Sequence, residues 1–228
     1  MLKRLYYIIL QRLFVFQNKN KPCQGKVYMF HNVSDEGDTY SITKEHFEEF
    51  LDYLCENKKI VDVDTLIKEK DPDNVVITFD DVYQSVYENA YPLLRERDLP
   101  FYLFVSNEYL NKENYLSSEM LFQILSDSNA ILGSHNYRHE LSRFVDLKEV
   151  EEGLIRSKKE LEEEFVQDIR DLAFPYGSMY ACSQENIDAA SKLFDHVFMT
   201  YAILYNEEYG NIIPRINMND TTFGKEMK

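Results

Sequence analysis

Two adjacent carboxylates, Asp80 and Asp81, close the run Val75-Val76-Ile77-Thr78-Phe79. An apolar, β-branched run of this length reads as a buried strand, so its last residues lie at the strand's C-terminal tip. Neighbouring carboxylates repel each other, and a stable fold neutralises them with a cation, a shared proton or an arginine. The pair also has a plainer reading, as the cap of the helix that follows. Further along, His135 and His139 bracket Asn136-Tyr137-Arg138 just after another short apolar run. One helical turn or a tight loop would aim both imidazoles at a single ion. Alone, this spacing more often describes two surface histidines. With a carboxylate from another strand it becomes a two-His, one-Asp set that leaves coordination positions open. Such a set suits a catalytic Zn²⁺, and also Co²⁺, Mn²⁺ or Fe²⁺.

These residues need elements to hold them. Period-two and short apolar runs predict strands over residues 26–30, 75–79, 101–105, 130–133, 171–174, 196–200 and 211–218. Between them, helices are predicted over 41–57 (Thr43 as cap, Phe47, Phe50, Leu51 and Leu54 on one face), 65–70, 83–97 despite Pro92, 117–126, 147–165 and 183–193. Seven short strands alternating with helices argue for a parallel sheet covered by helices, and no glycine-rich phosphate turn is present. An incomplete βα barrel fits better than an open nucleotide-binding sheet. In such barrels chemistry gathers at the strand C-termini. His31, Asp80, Asp81, His135, His139, the Pro175-Tyr176-Gly177 turn and Arg215 all fall at or just past a strand end or within the last strand. His196 starts a strand and His46 sits on a helix, which makes both structural.

The 228 residues carry 40 acids against 25 bases, a net charge of −15 that repels phosphate backbones and excludes nucleic acid as a partner. Three widely spaced cysteines (Cys23, Cys55, Cys182) form neither a disulfide framework nor a CxxC metal site, which suits a reducing compartment. Residues 1–17 run against the acidic trend. Lys3, Arg4 and Arg12 stand beside Leu2, Leu5, Ile9, Leu13 and Phe16, the pattern of a helix lying on an anionic membrane surface or, alternatively, packed on the rest of the chain. The stretch is too short to span a bilayer, and no small-residue cleavage site follows it. The chain therefore divides into a basic amphipathic helix and linker (1–25) and a catalytic region (26–228). The expected location is cytoplasmic, with peripheral membrane contact through residues 1–17.

Three stretches in order resemble the polysaccharide deacetylases of the NodB-homology type, carbohydrate esterase family 4. They are Thr78-Phe79-Asp80-Asp81 with Asn89-Ala90-Tyr91-Pro92-Leu93-Leu94 after it, Gly133-Ser134-His135-Asn136-Tyr137-Arg138-His139, and Leu172-Ala173-Phe174-Pro175-Tyr176-Gly177. The resemblance covers residues 26–218. It implies a distorted seven-stranded (β/α) barrel and a metal-dependent hydrolase that removes N-acetyl groups from an amino-sugar glycan or glycan precursor. It further implies Asp80 as general base and Asp81, His135 and His139 as metal ligands. The Pro175-Tyr176-Gly177 turn would line the substrate groove, with the Tyr176 N–H facing the oxyanion.

Family members commonly supply the general acid from a C-terminal His, which this chain lacks after His196. Phe30-His31 resembles the rearranged subset in which the acid follows the first strand. His31 is then the acid, the alternative being a structural histidine. Val82 replaces the usual Gly after the acids, Asn136 a Ser or Thr, Glu140 a Pro, and Ala173 an Arg. Arg215 would take that arginine's place and orient Asp80, or else pair with a surface acid. Two other functions fit the same barrel: a non-catalytic glycan-binding or assembly protein, and a deacylase of another amide or an O-acetyl ester.

Overall fold

Alternating apolar side chains give each strand two buried faces, one for the barrel interior and one for the helices outside. The computed structural model describes residues 2–227. Its strands are β1 (Lys26–Phe30), β2 (Asn32–Ser34), β3 (Ser41–Thr43), β4 (Lys59–Ile60), β5 (Asn74–Asp80), β6 (Phe101–Val105), β7 (Ala130–Ser134), β8 (Asp171–Ala173), β9 (His196–Met199), β10 (Ile212–Pro214) and β11 (Ile216–Asn217). The helices are α1 (Leu2–Asn18), α2 (Lys44–Asn57), α3 (Val63–Glu69), α4 (Tyr91–Glu96), α5 (Ser118–Asp127), α6 (Leu147–Phe165), α7 (Gln184–Ala190) and α8 (Asp220–Glu226).

The main sheet runs β10-β9-β8-β7-β6-β5-β1-β11, with β4 attached to β5, and every pairing is parallel. Its two ends are consecutive in sequence. β10 hydrogen-bonds β9, β11 hydrogen-bonds β1, and only Arg215 separates them. One interrupted strand thus closes the sheet into a barrel of seven positions, as expected. The single strand predicted over 211–218 is split at Arg215, whose N–H donates to Met199 O (2.8 Å) while its carbonyl accepts from Ala202 N–H (3.0 Å).

Inside the barrel sit Val27, Val76, Tyr102, Phe104, Ala173, Phe198 and Ile213; outside, the sheet packs on the helices through Phe30, Ile77, Phe79, Leu103, Leu172 and Val197. Gly133 belongs to the inner set because a Cβ there would lie 2.5 Å from the Phe104 ring. The α6 helix follows its sequence pattern over the predicted range, burying Val150, Leu154, Ser157 and Leu161. The α2 helix starts after the predicted Thr43 cap, whose hydroxyl accepts from His46 N–H.

Other boundaries differ from expectation for local reasons. The helix predicted over 83–97 is a π-turn at Val86–Ala90 followed by α4, with Pro92 in its first turn, where a missing N–H is harmless. Tyr83 instead bridges Tyr115 in extended form. The helix expected from residue 65 starts at Val63, because Asp62 caps it by accepting from Thr65 N–H. The β2–β3 ladder and α8 were not predicted. The latter is tied to α2 by His46, whose Nδ1 lies 2.8 Å from Asp220 Oδ1 and whose ring stacks on Phe223. His46 is thus structural, as expected from its helix.

Candidate active site

Strand parity decides which acid faces inward. On β5, Val76, Thr78 and Asp80 alternate toward the interior, so an unbroken strand would send Asp81 outward. The backbone prevents this by entering the left-handed region at Asp81 (φ 61°) and Val82 (φ 49°). Both acids then point into one buried space. A β-branched residue in that conformation is strained, which is the physical reason glycine is usual at position 82. The Val82 N–H donates to Asp80 O (2.7 Å), and the Val82 carbonyl accepts from Leu116 N–H (3.0 Å), so hydrogen bonds on both sides hold the turn.

On β7 the same parity carries Ile131 and Gly133 inward and delivers His135 at the strand tip. His135 is 1% exposed. Its Nδ1–H donates to Ala173 O (2.8 Å), which leaves the Nε2 lone pair facing the acids. His139 comes from the irregular loop beyond, a tight loop rather than a helical turn. Asp81 Oδ1 lies 3.5 Å from His135 Nε2 and 3.2 Å from His139 Nε2. Ligand atoms of these three residues all lie within 4.8 Å of one another. Asp81 Oδ1 is buried without a hydrogen-bond partner. An orphaned anionic oxygen facing two imidazole nitrogens is the donor set a divalent cation satisfies, so Asp81, His135 and His139 fit a metal.

Asp80 has a different environment. Arg215 is fully buried and donates through both terminal nitrogens, Nη1 to Oδ1 (2.6 Å) and Nη2 to Oδ2 (2.7 Å). Nη1 also reaches Thr78 Oγ1 (3.2 Å), whose hydroxyl donates to Tyr28 O (3.0 Å). The surface ion pair open to Arg215 from sequence is therefore excluded. Burial raises the Asp80 pKa, but the Arg215 guanidinium, with His135 adding to it, outweighs that and holds it down at about 2. For Asp81, burial and then the neighbouring Asp80 charge push the carboxyl up to about 7. Burial takes His135 down to about 3, and it lowers His139 as well. The two acids thus differ: Arg215 holds Asp80 as a carboxylate, whereas burial and the Asp80 charge favour the neutral form of Asp81.

The remaining predicted residues gather at the same end. His31 follows β1 with its Nδ1 buried and unpartnered. Burial lowers its pKa, while the Asp80 charge opposes that and Arg215 and His139 reinforce it. Tyr176 is 54% exposed, takes φ 61°, and sets its ring 4.6 Å from that of His139. Gly177 (φ 48°) accepts from Thr200 N–H (2.7 Å), and a Cβ would meet Thr200 Oγ1 at 2.7 Å, so the turn after Pro175 requires glycine. Asn136 also lies in the left-handed region (φ 61°), which asparagine tolerates.

Sequence reading missed several neighbours. Glu108 accepts the His139 N–H. Tyr109 and Tyr115 stack at 4.5 Å, Tyr115 and Tyr83 at 4.9 Å, and the Tyr109 ring lies 5.5 Å from that of His139, forming an aromatic column beside the ligands. Their only signal was position: Glu108 and Tyr109 follow the tip of β6. His196 lies at the opposite end of the barrel, as its place at a strand start implied, bonded through Nδ1 to Asp171 Oδ1 (2.7 Å).

Comparison with known proteins agrees with this architecture. The chain is 26% identical over 180 residues to the Bacillus subtilis (strain 168) protein YxkH, covering 75% of this chain and 62% of that one. It is 26% identical over 213 residues to the poly-beta-1,6-N-acetyl-D-glucosamine N-deacetylase of Staphylococcus aureus (strain MRSA252), covering 85% and 73%. The chain thus spans about three fifths of YxkH. In fold it matches the structure of IcaB from Ammonifex degensii with a TM-score of 0.82 at 21% identity, over 90% of this chain and 96% of that one. The polysaccharide deacetylase family profile matches residues 67–193, more than half of the chain and the stretch that holds both acids, both histidines and the Pro-Tyr-Gly turn. The chain is a member of the polysaccharide deacetylase family, the NodB-homology group of carbohydrate esterase family 4.

Proposed function

We propose that this protein is a metal-dependent hydrolase that removes N-acetyl groups from an amino-sugar glycan or glycan precursor. The observation that carries the reading is the orphaned Asp81 oxygen facing His135 and His139 beside an arginine-clamped second acid. The name of the Staphylococcus aureus relative, a glucosamine-polymer N-deacetylase, supports the choice of bond. Asp81, His135 and His139 would hold the ion, with zinc as the first choice for a nitrogen–oxygen donor set and cobalt, manganese or iron as alternatives. A divalent ion there supplies Lewis-acid polarisation of the acetyl carbonyl and acidifies water.

The chain's own groups do the rest. Asp80, kept ionised and fixed in direction by Arg215, takes a proton from the water whose oxygen bonds to the acetyl carbon. The arginine costs Asp80 basicity and gains it a single orientation, a fair exchange where the water is already acidified. The Tyr176 N–H, at the left-handed turn, stabilises charge on the former carbonyl oxygen. His31 acts in its protonated form, which the Asp80 charge favours against burial, and donates that proton to the sugar nitrogen as the carbon–nitrogen bond breaks, giving acetate and the amine.

The test is acetate release from N-acetylated hexosamine oligosaccharides by the zinc- or cobalt-supplemented protein. Wild type should release acetate and lose the activity to a chelator. Asp80→Asn should lose at least about 10³-fold in turnover while keeping its metal. No acetate from any such substrate in the metal-loaded protein sinks the proposal, and near-normal turnover in His31→Ala removes the acid assignment.

A further inference from the structure

The α1 helix has two faces with different fates. Tyr7, Gln11 and Phe14, spaced by three or four, turn toward the barrel. Gln11 Nε2 donates to Thr200 O (2.9 Å), and Met179 N–H donates to Gln11 Oε1 (3.1 Å). Phe14 meets Tyr201 edge to face at 5.4 Å, and the Arg143 guanidinium lies over the Tyr7 ring at 4.1 Å. This face is held to the barrel from Tyr7 to Phe14. The opposite face is apolar and open: Leu5, Ile9, Leu13 and Phe16 are exposed, with Tyr6 and Ile8 beside them. The helix contains three bases, Lys3, Arg4 and Arg12, all exposed, and no acid, although the whole chain has a net charge of −15.

We infer that α1 is an in-plane membrane helix that seats the barrel on an anionic phospholipid surface. An apolar stripe flanked by bases on a helix already fixed from behind matches the boundary between acyl chains and acidic headgroups. Among the described residues no helix is long and apolar enough to cross a bilayer. A second copy is a poor occupant of the stripe. A two-fold pairing would bring the bases of both helices together with no acid on either to offset them. The docked face carries the consequence inward. Gln11 grips Met179 and Thr200, and Thr200 in turn bonds Gly177, so the seated helix and the Pro175-Tyr176-Gly177 turn are one rigid piece.

The inference is independent of the chemistry proposed above and is tested without it. The full chain is spun with phosphatidylcholine vesicles, with and without phosphatidylglycerol, at low and high salt. We expect pelleting with the phosphatidylglycerol vesicles that weakens with salt. Leu13→Glu/Phe16→Glu should reduce partitioning at least about tenfold with an unchanged thermal melt, since both side chains are exposed. Lys3→Gln/Arg4→Gln/Arg12→Gln, which removes no apolar contact, should weaken binding and flatten its salt dependence. Failure to pellet with anionic vesicles overturns the inference. So does pelleting indifferent to both variants, or a dimer in solution that the Leu13→Glu/Phe16→Glu change dissolves.

Discussion

The barrel holds two histidine–carboxylate clusters, one at each end of its interior, and they are built to opposite rules. At the strand N-termini, His196 Nδ1 bonds Asp171 (2.7 Å), and its Nε2 lies 3.6 Å from Asp64, which itself bonds Arg170 (2.9 Å). Each charge there has a partner within the chain. At the strand C-termini, Asp81 Oδ1 and His31 Nδ1 are buried with none. Buried polar groups in a folded protein are almost always paired, so the unpaired end is the one held ready for something from outside. Composition does not separate the clusters; satisfaction does.

The strongest way to break this contrast is to remove the bidentate Arg215–Asp80 pair at the open end. Arg215→Met leaves the Asp80 carboxylate buried without compensation, and should destabilise the protein by about 3–5 kcal/mol in denaturant unfolding at pH 7. The same variant should lose less as pH falls, because protonating Asp80 then relieves it. A loss well under 1 kcal/mol would mean that the clamp contributes nothing to the fold.

At the other end, His196→Ala removes a buried, bonded ring and should cost about 1–3 kcal/mol of stability. Bound metal and acetate release per folded molecule should stay unchanged. A drop in metal content there would erase the distinction between the ends.

The smallest effect has the opposite sign. Asp81 has its pKa raised in the fold to about 7, so the metal-free protein carries a stability contribution that is full below the ordinary carboxylate range and lost as pH rises through 7. Asp81→Asn keeps a residue that tolerates the left-handed φ and removes that charge. Thermal unfolding of the metal-free variant at pH 8 should show a gain of about 1–2 kcal/mol, while metal binding is lost. An unchanged or lowered melt would show that Asp81 is satisfied without a cation.

Much of the site was readable because each residue sits beside a strong local signal. The β-branched run ending in Asp80-Asp81 marks a strand tip, and the His-x₃-His spacing follows another. α6 showed its boundaries because one apolar stripe repeats over nineteen residues. Elements that depend on distant partners were hidden. The β2–β3 ladder is three residues on each side, and α8 is secured by its capping box and by Asp220 and Phe223 reaching back to His46. Neither announces itself by periodicity. The π-turn before α4 has the residue types of an ordinary helix, so its i+5 hydrogen bonds leave no mark in the pattern.

Local pattern alone marks which side chains stand at strand ends, because period-two burial and a following turn are properties of neighbouring residues. The sequence also sets the charge contrast between α1 and the rest. Which of those side chains meet follows only from the folded arrangement of distant segments. Asp81 turns inward only through two left-handed residues held by neighbouring hydrogen bonds, and Arg215 reaches Asp80 only because one split strand joins the two edges of the sheet. Both depend on contacts between residues far apart along the chain, and local preference carries no information about those.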